Sequence, residues 1–124
     1  KSDIHAVEGL EAILRTRGVR FNWIQDGSPE VGLIAQEVEK VFPELVITDP
    51  VTGLKAVKYQ GFVAPLIEAT KELYGMCKAN EREIASLKEE NAKLKDEIQK
   101  LRDGQAEMAL RMEAIERALK ARHK

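Results

Sequence analysis

The stretch IASLKEENAKLKDEIQKLRDGQAEMALRMEAIERAL, residues 84–119, decides the fold. Within it Ile84, Leu87, Asn91, Leu94, Ile98, Leu101, Gln105, Met108, Met112, Ile115 and Leu119 recur in strictly alternating steps of three and four. A pattern sustained over more than five heptads marks a coiled coil rather than a helix laid on a globular core. At a rise of ~1.5 Å per residue the seam extends on the order of 55 Å. The flanking charges give direction. In a parallel, in-register coil a g residue meets the e residue five positions later on the neighbouring chain. Those pairs are Glu90 with Lys95, Glu97 with Arg102 and Arg111 with Glu116, all opposite in sign, while Gly104 with Ala109 is neutral. The seam therefore reads as parallel. Ile at a with Leu at d, and Asn91 at a, lean toward two strands; Gln105, Met108 and Met112 blur that preference. Asn91 and Gln105 read as register-setters, because a polar layer penalises slipped alignments.

Upstream of the seam the composition changes. Residues 1–65 hold all four prolines, six of the eight glycines and five of the six aromatic residues. Residues 76–124 hold no proline, no aromatic residue and one glycine, Gly104. The expected organisation is an α+β head over 1–65 and a long helix over 66–124, with heptads from about residue 84. A head that small buries only ~60 % of its chain surface, so oligomerisation through the tail is an obvious remedy. In the head, Ile4, Val7, Leu10, Ile13 and Leu14 predict a helix capped by Ser2 or Asp3 and ended near Gly18. Val19, Phe21 and Trp23 alternate as in a half-buried strand, and QDGSPE (25–30) reads as a turn or loop. Leu33, Ile34, Val38, Val41 and Phe42 share one side of a short helix stopped by Pro43. LVIT, DPVTG and LKAVKY predict a hairpin, and a helical pattern runs from about Phe62 almost to the end.

Several function classes are disfavoured. A net charge of −1 gives no bulk attraction to nucleic acid or to a membrane surface. No apolar run approaches the ~20 residues of a membrane span. The lone Cys77 excludes an internal disulfide and a four-thiolate zinc site. His5 and His123 lack ligand spacing, so neither a metal nor another cofactor is expected. Glu37 and Glu39, two apart on a helix, point to different sides. Neither a GxGxxG fingerprint nor a P-loop is present. A zipper-type DNA binder needs a basic helix leading into the heptads, whereas ATKELYGMCKANERE mixes both signs.

FNW (21–23), GLIAQEVEKVFPELV (32–46) and LKAVKYQGFVAPLIEATKEL (54–73) together resemble the C-terminal intramolecular chaperone of phage tailspikes and tail fibres, the peptidase S74 family. The resemblance covers roughly residues 1–75. It implies a domain that trimerises, brings three chains of an upstream fibre stalk into register and then cuts itself off. The implied cleavage is of serine–lysine type, with a motif close to Ser-Asp-x-x-Leu-Lys-x-x-Ile. Ser2-Asp3 does not fit, because the lysine would fall at Val7. Lys1 does fit, with Ile4 as the motif isoleucine, so the resemblance implies Lys1 as general base and a nucleophilic serine five positions before it. Such a lysine works only where burial or nearby cations lower its basicity. The family implies three strands where the heptads lean toward two. Because a head adds contacts that heptad rules ignore, the expected assembly is a parallel homotrimer. The implied setting is a phage tail-fibre precursor in the host cytoplasm or a bacterial surface-fibre precursor. The alternative is a non-catalytic trimerisation cap that stays attached.

Overall fold

The computed structural model describes residues 1–123 and divides the chain into two compact units, Lys1–Lys78 and Ala79–Lys124. In chain order the elements are helix α1 (Leu10–Leu14), strands β1 (Val19–Asn22) and β2 (Pro29–Gly32), helix α2 (Ala35–Val41), strands β3 (Val46–Thr48) and β4 (Lys55–Val57), and helix α3 (Val63–Arg122). Short 3-10 turns at Pro43–Leu45 and Tyr59–Phe62 join α2 to β3 and β4 to α3. The result is a small sheet-containing head with a long C-terminal helix, as the sequence predicts.

Each sheet is a two-stranded antiparallel hairpin. In the first, Gly27 has φ +72° and the Asp26 carboxylate accepts hydrogen bonds from the amide and hydroxyl of Ser28 at 3.0 and 2.7 Å. Trp23 N–H donates to Ser28 C=O, so the next pair along, Asn22 with Pro29, falls between bonded pairs. Pro29, lacking an N–H, therefore sits where no ladder bond is lost. Pro29 and Glu30, expected in the turn, are thus the start of β2. The second hairpin closes on Asp49, whose carboxylate accepts from the amides of Val51 and Thr52 at 2.8 and 3.3 Å, with Gly53 at φ +71°.

The core of the head is small: Ala12, Val38, Phe42 and Phe62, ringed by partly buried Val7, Ile13, Leu33, Val41, Leu45, Val46 and Val57. Phe42 and Phe62 meet edge to face, 5.6 Å between ring centres at 79°. Pro43 opens the 3-10 turn that follows Phe42 and so keeps that ring at the end of α2. Two expectations need correcting. Residues 4–9 are not helical: α1 begins at Leu10 behind Gly9 with no side-chain cap of its own, so Ser2 and Asp3 cap nothing there. Leu33 and Ile34 lie before α2, with Ile34 extended at φ −88° and ψ 116°.

Candidate functional site

Helix α3 carries the seam. In the unit Ala79–Lys124 every described residue is exposed, the apolar ones included. Ile84, Leu87, Leu94 and Ile98 stand 48–51 % exposed, and Leu101, Met108, Met112, Ile115 and Leu119 50–69 %. Asn91 and Gln105 lie on the same stripe, exposed in the single chain. Ion pairs at i,i+4 line the helix, among them Glu89–Lys93, Asp96–Lys100, Glu107–Arg111 and Glu113–Arg117, at 3.6, 3.2, 2.8 and 3.3 Å. Such pairs support helicity weakly and give the apolar stripe no cover. An apolar stripe of this length is more than scattered surface hydrophobics account for.

The stripe begins earlier than its sequence suggests. Stepping back from Ile84 in threes and fours reaches Asn80, Cys77, Leu73, Thr70, Leu66 and Val63, the first residue of α3. Val63, Leu66 and Leu73 are 58, 47 and 49 % exposed. Thr70, Cys77 and Asn80 interrupt the apolar pattern and hide this extension from a sequence count. Cys77 is exposed in the single chain.

The first turns of α3 have a second face. Pro65 and Ala69 are buried, and Glu72 follows one turn later. Glu72 Oε2 accepts a hydrogen bond from Leu10 N–H at 3.2 Å, the first amide of α1. A side chain at Gly9 would come within 2.9 Å of the Ala69 nitrogen and the Glu68 carbonyl carbon, so only glycine lets this segment lie so close to α3. The helix thus supplies from outside the cap that Ser2 and Asp3 do not provide. Upstream, Val7 is partly buried against the core, while Lys1 to Ala6 are exposed. Lys1 and Ser2 therefore lie on a surface segment whose nearest anchored residues are Val7, Gly9 and Leu10.

Between the two hairpins the head has an open apolar groove of about 560 Å³, lined by Trp23, Val31, Leu33, Val57 and Tyr59 among others. The Tyr59 hydroxyl accepts from Leu33 N–H at 3.0 Å. The lining holds no serine, cysteine or histidine, and its lysine, Lys55, is bound to Glu39 at 2.7 Å and to Thr48 at 2.9 Å. The groove has no nucleophile paired with a base. Elsewhere on the head Arg17 grips Glu37 through two hydrogen bonds of 2.9 and 2.7 Å, which hold the Glu37 carboxyl below its ordinary range. Glu39 faces Lys55 instead, so the two glutamates do not form an acid–base pair. The Ser28 hydroxyl and amide lower Asp26, and the Val51 and Thr52 amides lower Asp49. Among the described residues no cluster of three or more His, Cys, Asp or Glu side chains could hold a metal ion. No helix among them is long and apolar enough to cross a membrane.

Residues 1–47 match the family model described as chaperone of endosialidase, Peptidase_S74. The match supports an S74 intramolecular chaperone domain in this part of the chain. No curated protein matches the chain. The S74 match takes in α1, the first hairpin, α2 and the opening of β3, and stops before β4. It includes Lys1, Gly9 and Leu10, so the segment that α3 holds down lies inside the matched region. The match supports a chaperone role for the domain.

Proposed function

We propose that this chain is an intramolecular chaperone that assembles as a parallel homotrimer, sets an upstream fibre stalk in register and is released by serine–lysine self-cleavage. The observation that carries this reading is the heptad stripe of α3 from Ile84 to Leu119, its apolar residues roughly half-exposed or more, following a head whose residues 1–47 match the chaperone family model. Three helices joined along that stripe hold three heads, and whatever chain precedes them, at a high effective concentration, so that nucleation of the stalk becomes intramolecular. Release after folding leaves the stalk without its assembly route in reverse, a kinetic trap.

In the cleavage step a serine five positions before Lys1 attacks a carbonyl carbon of its own chain. The Lys1 amine takes the hydroxyl proton and delivers it to the departing amide nitrogen as the C–N bond breaks. Water then opens the acyl–oxygen bond, leaving a carboxylate and a new amino terminus. Lys1 is exposed in the single chain, and a neutral amine needs shelter. Assembly with the other two copies provides that shelter, which makes cutting a checkpoint on trimerisation.

The test compares a chain extended by about 100 residues at its N-terminus with the same chain carrying alanine for the serine five positions before Lys1. A fragment seen by intact mass only in the unmutated chain, together with a trimer mass by light scattering, supports the reading. Full-length trimers in both indicate a cap that stays attached. A monomer or dimer removes the trimer altogether.

A further inference from the structure

We infer that Glu72 is a positioning residue: it ties the segment that ends in Lys1 to the face of α3 beside the oligomerisation stripe, so that the state of the helix governs the placement of the segment. The inference rests on the self-cleavage reading for its consequence, but its geometry stands without it.

The two faces of the first turns of α3 differ by a single residue step. Pro65, Ala69 and Glu72 face the head; Leu66, Thr70 and Leu73 continue the stripe. One step is a rotation of roughly 100°, so the two rows run side by side on one helix surface. Helix α1 is only five residues long, with no side-chain cap from its own preceding segment. A helix of that length has little stability of its own. Its first amide is satisfied by Glu72, from 62 residues away. Gly9 lies so near the α3 backbone that a methyl group there would stand 2.9 Å from Ala69 N and Glu68 C. Hydrogen bond and close approach act on consecutive residues, and Val7 is held against the core just upstream.

Residues 1–6 leave the head from this anchor, and no other element fixes them by helix or strand pairing. A reaction that needs Lys1 within hydrogen-bond reach of a serine depends on where that departure point lies. Anything that orders α3 along its stripe therefore also steadies the row bearing Glu72. Coupling of assembly to cleavage then needs no separate sensor, because one helix carries both the contact surface and the clamp.

The test uses three variants. In the chain as it stands, Glu72→Ala is expected to raise hydrogen exchange at the Leu10 amide about tenfold, the size of effect that follows loss of a helix cap. Glu72→Gln, which keeps a carbonyl acceptor, is expected to stay within about threefold of the wild type. Gly9→Ala attacks the same anchor from the other side and is expected to raise exchange over residues 7–13, with Trp23 fluorescence reporting that the head remains folded. In the N-terminally extended chain, Glu72→Ala is expected to slow self-cleavage about tenfold while the trimer mass is unchanged, with Glu72→Gln restoring the rate. Unaltered Leu10 exchange in Glu72→Ala overturns the inference. So does a cleavage rate that falls equally in the Ala and Gln variants. If the unmutated extended chain is never cut, the self-cleavage reading fails, and the Leu10 exchange alone decides whether Glu72 holds the segment.

Discussion

The head hides its apolar side chains and the tail displays them. In the unit Lys1–Lys78, Val38 and Phe42 are each 2 % exposed and Phe62 is 8 % exposed, packed by elements distant in sequence. In the unit Ala79–Lys124 every described residue is exposed, and even Leu94 and Ile98 remain 48 % exposed. The same driving force, removal of apolar surface from water, is met inside one chain in the first case; in the second, under the proposed assembly, it is met between chains. The head is thus a fold that the chain completes, and the tail a fold that it only half specifies. Substitutions in the two units should consequently fail in different ways, and a pair of optical probes separates them: Trp23, the single tryptophan, reports the head, and far-UV helicity chiefly reports the tail.

The largest effect is expected from the seam. Leu94→Asp puts a carboxylate where the proposed trimer brings three copies together, at an expected cost of at least about 3 kcal/mol per chain, felt in every chain of that assembly. Light scattering should show a shift toward monomer, with a large fall in helicity and little change in Trp23 emission at the temperatures where the head is stable. A variant that keeps its trimer mass and its helicity would break the comparison, because the stripe would then not be what holds the tail. Next in size is the core. Phe42→Ala removes the ring that meets Phe62 edge to face and should cost about 3–5 kcal/mol of head stability. Here Trp23 should report earlier unfolding in denaturant while the tail helicity of the assembled protein persists. Simultaneous loss of both signals would mean that the units unfold as one.

A smaller and opposite effect is expected at Asn91. Replacing it with Ile removes a polar layer from the seam, so thermal stability of the tail should rise while alignment loosens. Mixed species by light scattering, or disulfide cross-links between cysteines placed one heptad apart on different copies, would report the loosened register. A tail that becomes more stable yet stays uniquely aligned would assign register to the head instead.

How far these differences could be read from the sequence follows the same division. The long helix of the tail was legible because helical periodicity is a local signal, its repeating positions lying within a turn or two of one another. What escaped was the beginning of its apolar stripe, since Thr70 and Cys77 stand at positions where the pattern wants an aliphatic side chain. In the head the turns around Asp26–Gly27 and Asp49–Gly53 announced themselves through residues with a definite conformational role. Helix α1 was misjudged because Ile4 to Leu14 has helical spacing throughout, and spacing does not reveal that Gly9 must lie against Ala69. That contact spans sixty residues. The Glu72 clamp had no sequence signal for the same reason: a glutamate on a charged helix looks like every other solvated glutamate until the fold brings an amide to it.

Acidification offers the finest distinction between the units, and its sign follows from the head's turns. Hydrogen bonds hold Asp26, Glu37 and Asp49 below their ordinary range in the folded head. A carboxyl whose folded value is depressed contributes stability that is fully present above its unfolded value, near 4, and that is lost as pH falls through the folded value. The head should therefore be insensitive to pH from about 7 to 5 and weaken progressively below about 4. Asp26 and Asp49 are exposed and Glu37 is partly so, hence each contributes only modestly and salt reduces the Glu37 part. Asp49→Asn keeps an oxygen that can accept from the Val51 amide but cannot titrate. Denaturant midpoints followed through Trp23 should then fall less steeply below pH 4 in the variant than in the wild type, even if the variant starts slightly less stable at pH 7. An acid limb seen in Trp23 emission and flattened by Asp49→Asn locates the loss in the hairpin turn of the head; an unchanged limb moves it elsewhere.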